Sequence, residues 1–177
     1  MTLKQLQIDK TWTLFLDRDG VINERIVGDY VKKKEEFIFL PGVLEAITRF
    51  SELFGAIFVV TNQQGIGKKT MTESNLSEIH TYMHSEIQKA GGKLTKIYFA
   101  PNLASEESQM RKPNPGMGLL AQEEFPFVDF EKSLMVGDSN SDIHFGTNLG
   151  MKTVKIGEQS VEADFYMNSL IELANQL

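Results

Sequence analysis

TLFLDRDG, residues 13–20, is the stretch that decides the fold. The uncharged run Thr13–Leu16 stops abruptly at Asp17-Arg18-Asp19-Gly20. A short apolar run with polar residues just beyond it predicts a buried strand. The pattern recurs along the chain. Residues 56–60 are β-branched and almost wholly apolar, and Thr61-Asn62-Gln63-Gln64-Gly65 follows them. Residues 94–99 lead into a loop that reaches Arg111-Lys112-Pro113. Residues 133–136 lead into Gly137-Asp138, with Asp142 one helical turn later. Residues 153–156 complete the predicted strands.

Helical periodicity fills the gaps. In residues 42–54, Val43, Leu44, Ile47, Phe50 and Leu53 fall on one stripe. Thr72 is a suitable N-cap for a helix to about residue 89, stopped by Gly91-Gly92. Asn114 and Pro115 read as N-cap and first residue of a short helix. Further helices are predicted over 140–149 and 167–175. Strands apolar on both faces and alternating with helices predict an α/β domain over 1–177. Its sheet should be doubly wound and mostly parallel, with helices on both faces. In such sheets ligands bind beyond the carboxyl ends of the strands. Acids, a hydroxyl and a lysine all fall on that rim.

Composition narrows the chemistry. The chain has 177 residues, 41% hydrophobic and 24% charged, so it can build a core without disulfides. It has no cysteine, which excludes thiolate zinc sites, iron–sulfur clusters and a thiol nucleophile. The net charge of −6 argues against a nucleic-acid partner. No apolar run reaches the roughly 18 residues of a membrane span. MTLKQLQIDK lacks the apolar centre of a secretory signal, so a cytoplasmic location is expected. A monomer is the favoured state.

Asp17 and Asp19 lie two residues apart, and in an extended chain their carboxylates would point the same way. Asp138 joins them from a neighbouring strand end. Crowded carboxylates repel unless a cation separates them, and an oxygen-only set favours Mg²⁺. Lys112 and the Thr61 hydroxyl are then left for an anion, and the combination suits a phosphoryl group. One aspartate can act as nucleophile and another as proton donor. An EF-hand reading of DRDG fails, because its next oxygen ligand would be Val21. GIGKKT, residues 65–70, misses the P-loop pattern, since Asn62 replaces the first glycine and Lys69 the final hydroxyl. Its glycines are expected to let the backbone turn sharply behind Thr61. His80, His84 and His144 form no metal set with the rim acids.

The motifs resemble those of the haloacid dehalogenase superfamily of phosphatases. FLDRDGVIN (15–23) is similar to its first motif and VVTNQQGIG (59–67) to its second. RKPNPG (111–116) is similar to the third and MVGDSNSDI (135–143) to the fourth. The wording is narrower still. It resembles the subgroup that holds heptose-bisphosphate and histidinol-phosphate phosphatases; DNA 3′-phosphatases share the second motif. The resemblance implies a Rossmann-like fold and Mg²⁺-dependent hydrolysis of a small phosphorylated metabolite through an aspartyl-phosphate. It implies Asp17 as nucleophile and metal ligand. Asp19 would be general acid and base, with its main-chain carbonyl on the metal. Asp138 would be a ligand, Asp142 a supporting acid, Thr61, Asn62 and Lys112 phosphate-binding groups, and Arg111 a substrate contact. A sugar bisphosphate is the expected substrate. The alternatives are histidinol phosphate, a nucleic-acid 3′-phosphate, or a non-catalytic role in binding a phosphometabolite.

That subgroup carries a zinc loop of cysteine and histidine before the RKP motif. APNLASEESQM (100–110) has neither residue, and Met110 stands where the last cysteine would be, so no zinc is expected. The chain has room for a short flap over 21–40 but not for a cap domain. The flap and the 100–110 loop should shape an open site, with few apolar residues to anchor them.

Overall fold

β1 (Thr13–Leu16) is buried along its whole length, between two parallel neighbours. The computed structural model describes residues 2–177. Six strands form one parallel sheet in the order β3-β2-β1-β4-β5-β6. The others are β2 (Ala56–Asn62), β3 (Lys96–Ala100), β4 (Ser133–Gly137), β5 (Lys152–Ile156) and β6 (Phe165–Met167). The helices are α1 (Val43–Leu53), α2 (Gln64–Gly67), α3 (Glu73–Lys89), α4 (Gly116–Glu124), α5 (Asn140–Leu149) and α6 (Leu170–Gln176).

Alternation along each strand builds a core on both faces. Leu14, Leu16, Ile57, Val59, Leu134 and Val136 pack in one cluster with residues of α1, α3 and α6. Phe15, Phe58, Val60 and Met135 belong to the other, with Met117 and Ala121 of α4 and Phe145 of α5. Each large apolar side chain removed from water in this way contributes ~1.5–3 kcal/mol. No helix among the described residues is long and apolar enough to cross a membrane.

The strand order reverses at β1, which has β2 on one side and β4 on the other. The chain therefore leaves β1 and β4 side by side, at the switch point where such sheets bind ligands. The Asp17 N–H donates to the Val136 carbonyl at 2.9 Å and extends the pairing one residue beyond β1.

Several elements differ from the sequence reading. β2 continues through Thr61 and Asn62, because their N–H and C=O groups still pair with β3. Pro115 is the N-cap of α4 rather than its first residue. Its carbonyl accepts from the N–H groups of Gly118 and Leu119. Met167 ends a strand, and the last helix starts at Leu170, capped by Ser169 accepting from the Glu172 N–H. The turn behind Thr61 is the short helix α2, and neither Gly65 nor Gly67 has a left-handed φ. Gly67 instead lies against the Pro101 carbonyl, where a Cβ would approach to 2.6 Å.

The flap is better anchored than its polar composition suggests. Val21, Ile22, Val31 and Phe37 are buried. Phe37 packs edge-on to Phe39 and to Tyr82 of α3. The tip, residues 24–29, is largely exposed, with Val27 at 95%, and so are residues 33–35 and Ile38.

Candidate active site

One cleft of about 320 Å³ lies beyond the strand ends, and every residue singled out in the sequence lines it: Asp17, Asp19, Thr61, Asn62, Arg111, Lys112, Asp138 and Asp142. The flap adds Arg25, Ile26 and Tyr30, and α2 and its C-cap add Gln64 and Lys68.

Lys112 is the electrostatic centre. Its Nζ donates to Asp17 Oδ1 at 2.8 Å and to the Val60 carbonyl at 2.6 Å. It also contacts Asp142 Oδ1 at 2.6 Å, although that oxygen makes no hydrogen bond. The Lys112 side chain is 1% exposed. Asn62 fixes the segment that carries it: its side-chain oxygen accepts from the Lys112 N–H, and its amide donates to the Lys112 carbonyl, both at 3.0 Å. Asn62 therefore positions the lysine as well as lining the cleft.

Asp142 is the third residue of α5 and caps that helix. Its Oδ2 accepts from the Ser139 N–H at 2.9 Å and the Ser139 hydroxyl at 2.7 Å. Its Oδ1 is left facing Lys112. Gly137 makes room for it, because a Cβ there would lie 2.1 Å from Asp142 Cβ. Gly20 plays the same part for Asp138, with a φ of +90° and space for a Cβ only 2.2 Å from Asp138 Oδ2. The main chain of Asp138 is held from below by buried Lys155, whose Nζ donates to its carbonyl at 2.6 Å.

Carboxylate oxygens of Asp17, Asp138 and Asp142 lie within 4.8 Å of one another. Three carboxylates face the Lys112 ammonium and, 3.4 Å from Asp138 Oδ2, the exposed Arg25 guanidinium, so the acids outnumber the cations. Burial, and then the neighbouring Asp142, push Asp17 up to about 7 despite Lys112. Asp138 is also raised, by burial first and Asp142 second, against the pull of Arg25. This crowding and the all-oxygen donor set fit a hard divalent cation.

Asp19 is arranged differently. The chain turns after Asp17 instead of remaining extended, so the Asp19 carboxylate lies outside this trio. Its oxygens accept from Arg18 Nη2 (2.9 Å to each), Asn23 (2.9 Å) and Gln63 (2.8 Å). Burial works against ionisation, but Arg18, Asn23 and Gln63 together outweigh it and hold the carboxyl below its ordinary value. Gln63 also donates to the Thr61 hydroxyl at 2.9 Å, tying Asp19 to Thr61.

Sequence reasoning missed Arg18, Asn23, Gln63 and Lys68. Asn23 and Gln63 sit inside the quoted motifs, beside polar residues that were chosen. Lys68 follows the Gly-rich turn that was judged only as a failed P-loop. Lys68 stands over the Tyr30 ring, 5.4 Å from its centroid, and the Tyr30 hydroxyl accepts from Gln64 at 2.8 Å. Burial raises the Tyr30 proton affinity, yet Lys68, Gln64 and Arg111 outweigh it and hold the phenol below its usual value. Neither Lys68 nor Arg111 has a carboxylate partner among the described residues; Arg111 reaches only the Asn102 carbonyl, at 3.3 Å.

The loop of residues 100–110 closes on itself. Glu106 accepts from the Asn102 amide and the Leu103 N–H, and Asn114 donates to the Ser108 carbonyl. Met110 packs against the core cluster under α4.

Aspartates, lysine and hydroxyl on the rim of a parallel sheet define a phosphate-ester centre of one fold class, and comparison with known proteins places the chain within it. Residues 109–167 match the HAD-hydrolase-like family. The chain is 39% identical to D-glycero-alpha-D-manno-heptose-1,7-bisphosphate 7-phosphatase of Campylobacter jejuni, covering 94% of this chain and 95% of that protein. It is 35% identical to the corresponding beta-heptose enzyme of Yersinia pestis, over 90% and 92% of the two chains. It also resembles the crystal structure of the D,D-heptose 1,7-bisphosphate phosphatase of B. bronchiseptica complexed with magnesium and phosphate. The TM-score is 0.86 and the identity 28%, covering 93% of this chain and 97% of that one. The chain belongs to the haloacid dehalogenase superfamily, and within it to the phosphatases, the phosphoric monoester hydrolases.

Proposed function

We propose that this chain is a Mg²⁺-dependent phosphatase acting on a sugar bisphosphate, with D-glycero-D-manno-heptose 1,7-bisphosphate as substrate. The observation that carries the choice of a bisphosphate is the pair Lys68 and Arg111. Two cations without carboxylate partners share a cleft with the acid–lysine centre, so one cleft offers two places for phosphate. The names of the full-length relatives supply the heptose. A single-phosphate substrate such as histidinol phosphate would leave the two cations unused. A nucleic-acid 3′-end is opposed by the net charge of −6.

Asp17, the Asp19 main-chain carbonyl and Asp138 would hold the ion, with Asp142 in support. The ion, when bound, neutralises charge on the carboxylates and on the phosphoryl oxygens. Lys112 and Thr61 hold the phosphoryl group in line with Asp17. A carboxylate oxygen of Asp17 attacks phosphorus as the bond to the leaving oxygen breaks, and Asp19 gives that oxygen a proton. Water then attacks the aspartyl-phosphate and loses its proton to Asp19. Inorganic phosphate leaves and the Asp17 carboxylate is restored. In the resting arrangement Asp19 accepts four hydrogen bonds and is ionised, the form the second step needs. An arriving phosphate dianion raises its proton affinity by like-charge repulsion, so Asp19 takes up a proton from solvent as substrate binds, gives it to the leaving oxygen in the first step, and returns to solvent the proton it gains in the second.

A phosphate-release comparison tests the substrate. It should include both anomers of the heptose bisphosphate, histidinol phosphate and a 3′-phosphorylated oligonucleotide. A heptose anomer should give the highest kcat/KM, and preference for either other substrate refutes the reading. For the mechanism, Asp17→Asn should form no phosphoenzyme. Asp19→Asn should slow alkyl phosphates by ~10²–10⁴-fold while sparing the cleavage step of p-nitrophenyl phosphate.

A further inference from the structure

Arg18 is the largest of the fully buried side chains, with no exposed surface, and it does not line the cleft. A buried guanidinium is costly unless each of its contacts is specific. Its Nη2 reaches both oxygens of Asp19 at 2.9 Å. Its Nη1 lies 3.2 Å from His80 Nε2 on α3, and the ring of Phe37 covers its Cζ at 6.0 Å. Arginine can only donate, so His80 Nε2 carries a lone pair and the ring proton sits on Nδ1. His80 is braced in turn by the edge of Phe99, 6.2 Å away. It faces a separate groove between α3 and β3 and does not line the cleft. Asp19, Arg18 and His80 thus form a chain running from the cleft, through the buried guanidinium, to that groove.

We propose that Arg18 and His80 are positioning residues that aim the Asp19 carboxylate at the leaving oxygen. The inference rests on the acid–base role given to Asp19 above. Asn23 and Gln63 each bind one Asp19 oxygen, whereas Arg18 binds both and so sets the tilt of the carboxylate plane. Arg18 itself has no partner on Nε, so His80 alone fixes the far side of the guanidinium by hydrogen bonding. A displacement of about 1 Å at a catalytic group costs on the order of 10²-fold in rate.

The test uses His80, which touches neither substrate nor reacting atoms. His80→Leu removes the acceptor, and His80→Gln keeps one. Single-turnover cleavage is measured with an alkyl phosphate and with p-nitrophenyl phosphate, whose leaving group needs no proton. His80→Leu should slow the alkyl ester by ~10–10²-fold and leave the aryl ester within a factor of about two. KM should stay unchanged, and His80→Gln should recover most of the loss. In an Asp19→Asn background, His80→Leu should have no further effect on the alkyl ester. Arg18→Lys keeps the charge but cannot span both partners, and should give the same split even where His80→Leu fails to fold. Equal slowing of both esters, no slowing, or additivity with Asp19→Asn would overturn the proposal. If Asp19→Asn itself shows no dependence on the leaving group, the acid–base reading fails instead.

Discussion

Replacing Lys112 with methionine keeps the length of the side chain and removes its charge. The Val60 carbonyl loses a 2.6 Å hydrogen bond, and Asp17 and Asp142 lose the cation 2.8 and 2.6 Å away. Removing one partner of a buried ion pair costs about 3–5 kcal/mol, a large share of a typical stability of ~5–15 kcal/mol. At ~2–4 °C per kcal/mol for a chain of this size, Tm should fall by roughly 6–20 °C. The loss should depend on pH. Asp17 binds its proton more tightly folded, at about 7, than at its ordinary 3.8. Its contribution is therefore most favourable below 3.8 and declines as pH rises towards the folded value. Without Lys112 the folded value rises further, so the penalty grows from pH 5 to pH 8. Lys112 itself does not tilt this window. Burial opposes its charge, but Asp142 and Asp17 raise it above 10.5, so it stays charged in both states. Urea unfolding followed through Trp12, the single tryptophan, in chelator at pH 5 and 8 measures both quantities. Asp142→Asn in the same chain should return part of the loss at pH 8. A cost under about 1 kcal/mol, within the range of an exposed pair, or an equal cost at both pH values, would refute the electrostatic argument.

For the unmodified protein, Mg²⁺ should raise Tm more at pH 8 than at pH 5, because Asp17, pushed up to about 7, is ionised only at the higher pH. Equal shifts in a melting series would contradict this. Gly20→Ala should push Asp138 aside and weaken the apparent Mg²⁺ constant by ~10–100-fold, read from activity against Mg²⁺ concentration. Lys68→Ala and Arg111→Ala should each raise KM for a sugar bisphosphate by ~10-fold or more, the worth of one charged hydrogen bond. The corresponding monophosphate should be little affected, and an equal rise for both esters removes the second phosphate from the argument. Added zinc should give no rise in Tm, and stoichiometric zinc in purified protein would contradict the reading of residues 100–110.

The sheet was legible because β1, β2 and β4 are apolar on both faces, a pattern that a doubly covered parallel strand imposes. β6 was not, because it has three residues behind a polar loop, and its Met167 also fits a helical stripe. The rim acids and Lys112 stood out because chemistry at a strand end leaves polar residues where packing would not. Arg18 could not be found the same way. A lone arginine between two acids looks like a solvated charge, and its meaning lies in His80, 62 residues away in sequence. The register of a carboxylate against a partner so distant is a property of packing, and no local pattern encodes it.

Gln64 donates to the Tyr30 hydroxyl at 2.8 Å and accepts from the Ala104 N–H at 3.2 Å. One side chain thus spans the flap and the 100–110 loop. Tyr30 and Gln64 line the cleft, and the 100–110 loop, which contributes no residue to its lining, clasps Gln64 from behind. A ligand broad enough to part Tyr30 from Gln64 must break a whole hydrogen bond, so tolerance for bulk should end at a threshold instead of fading gradually. Selection for width and selection for charge are then separable. Lys68 and Arg111 would sort ligands by their anions, and the clasp would sort them by girth.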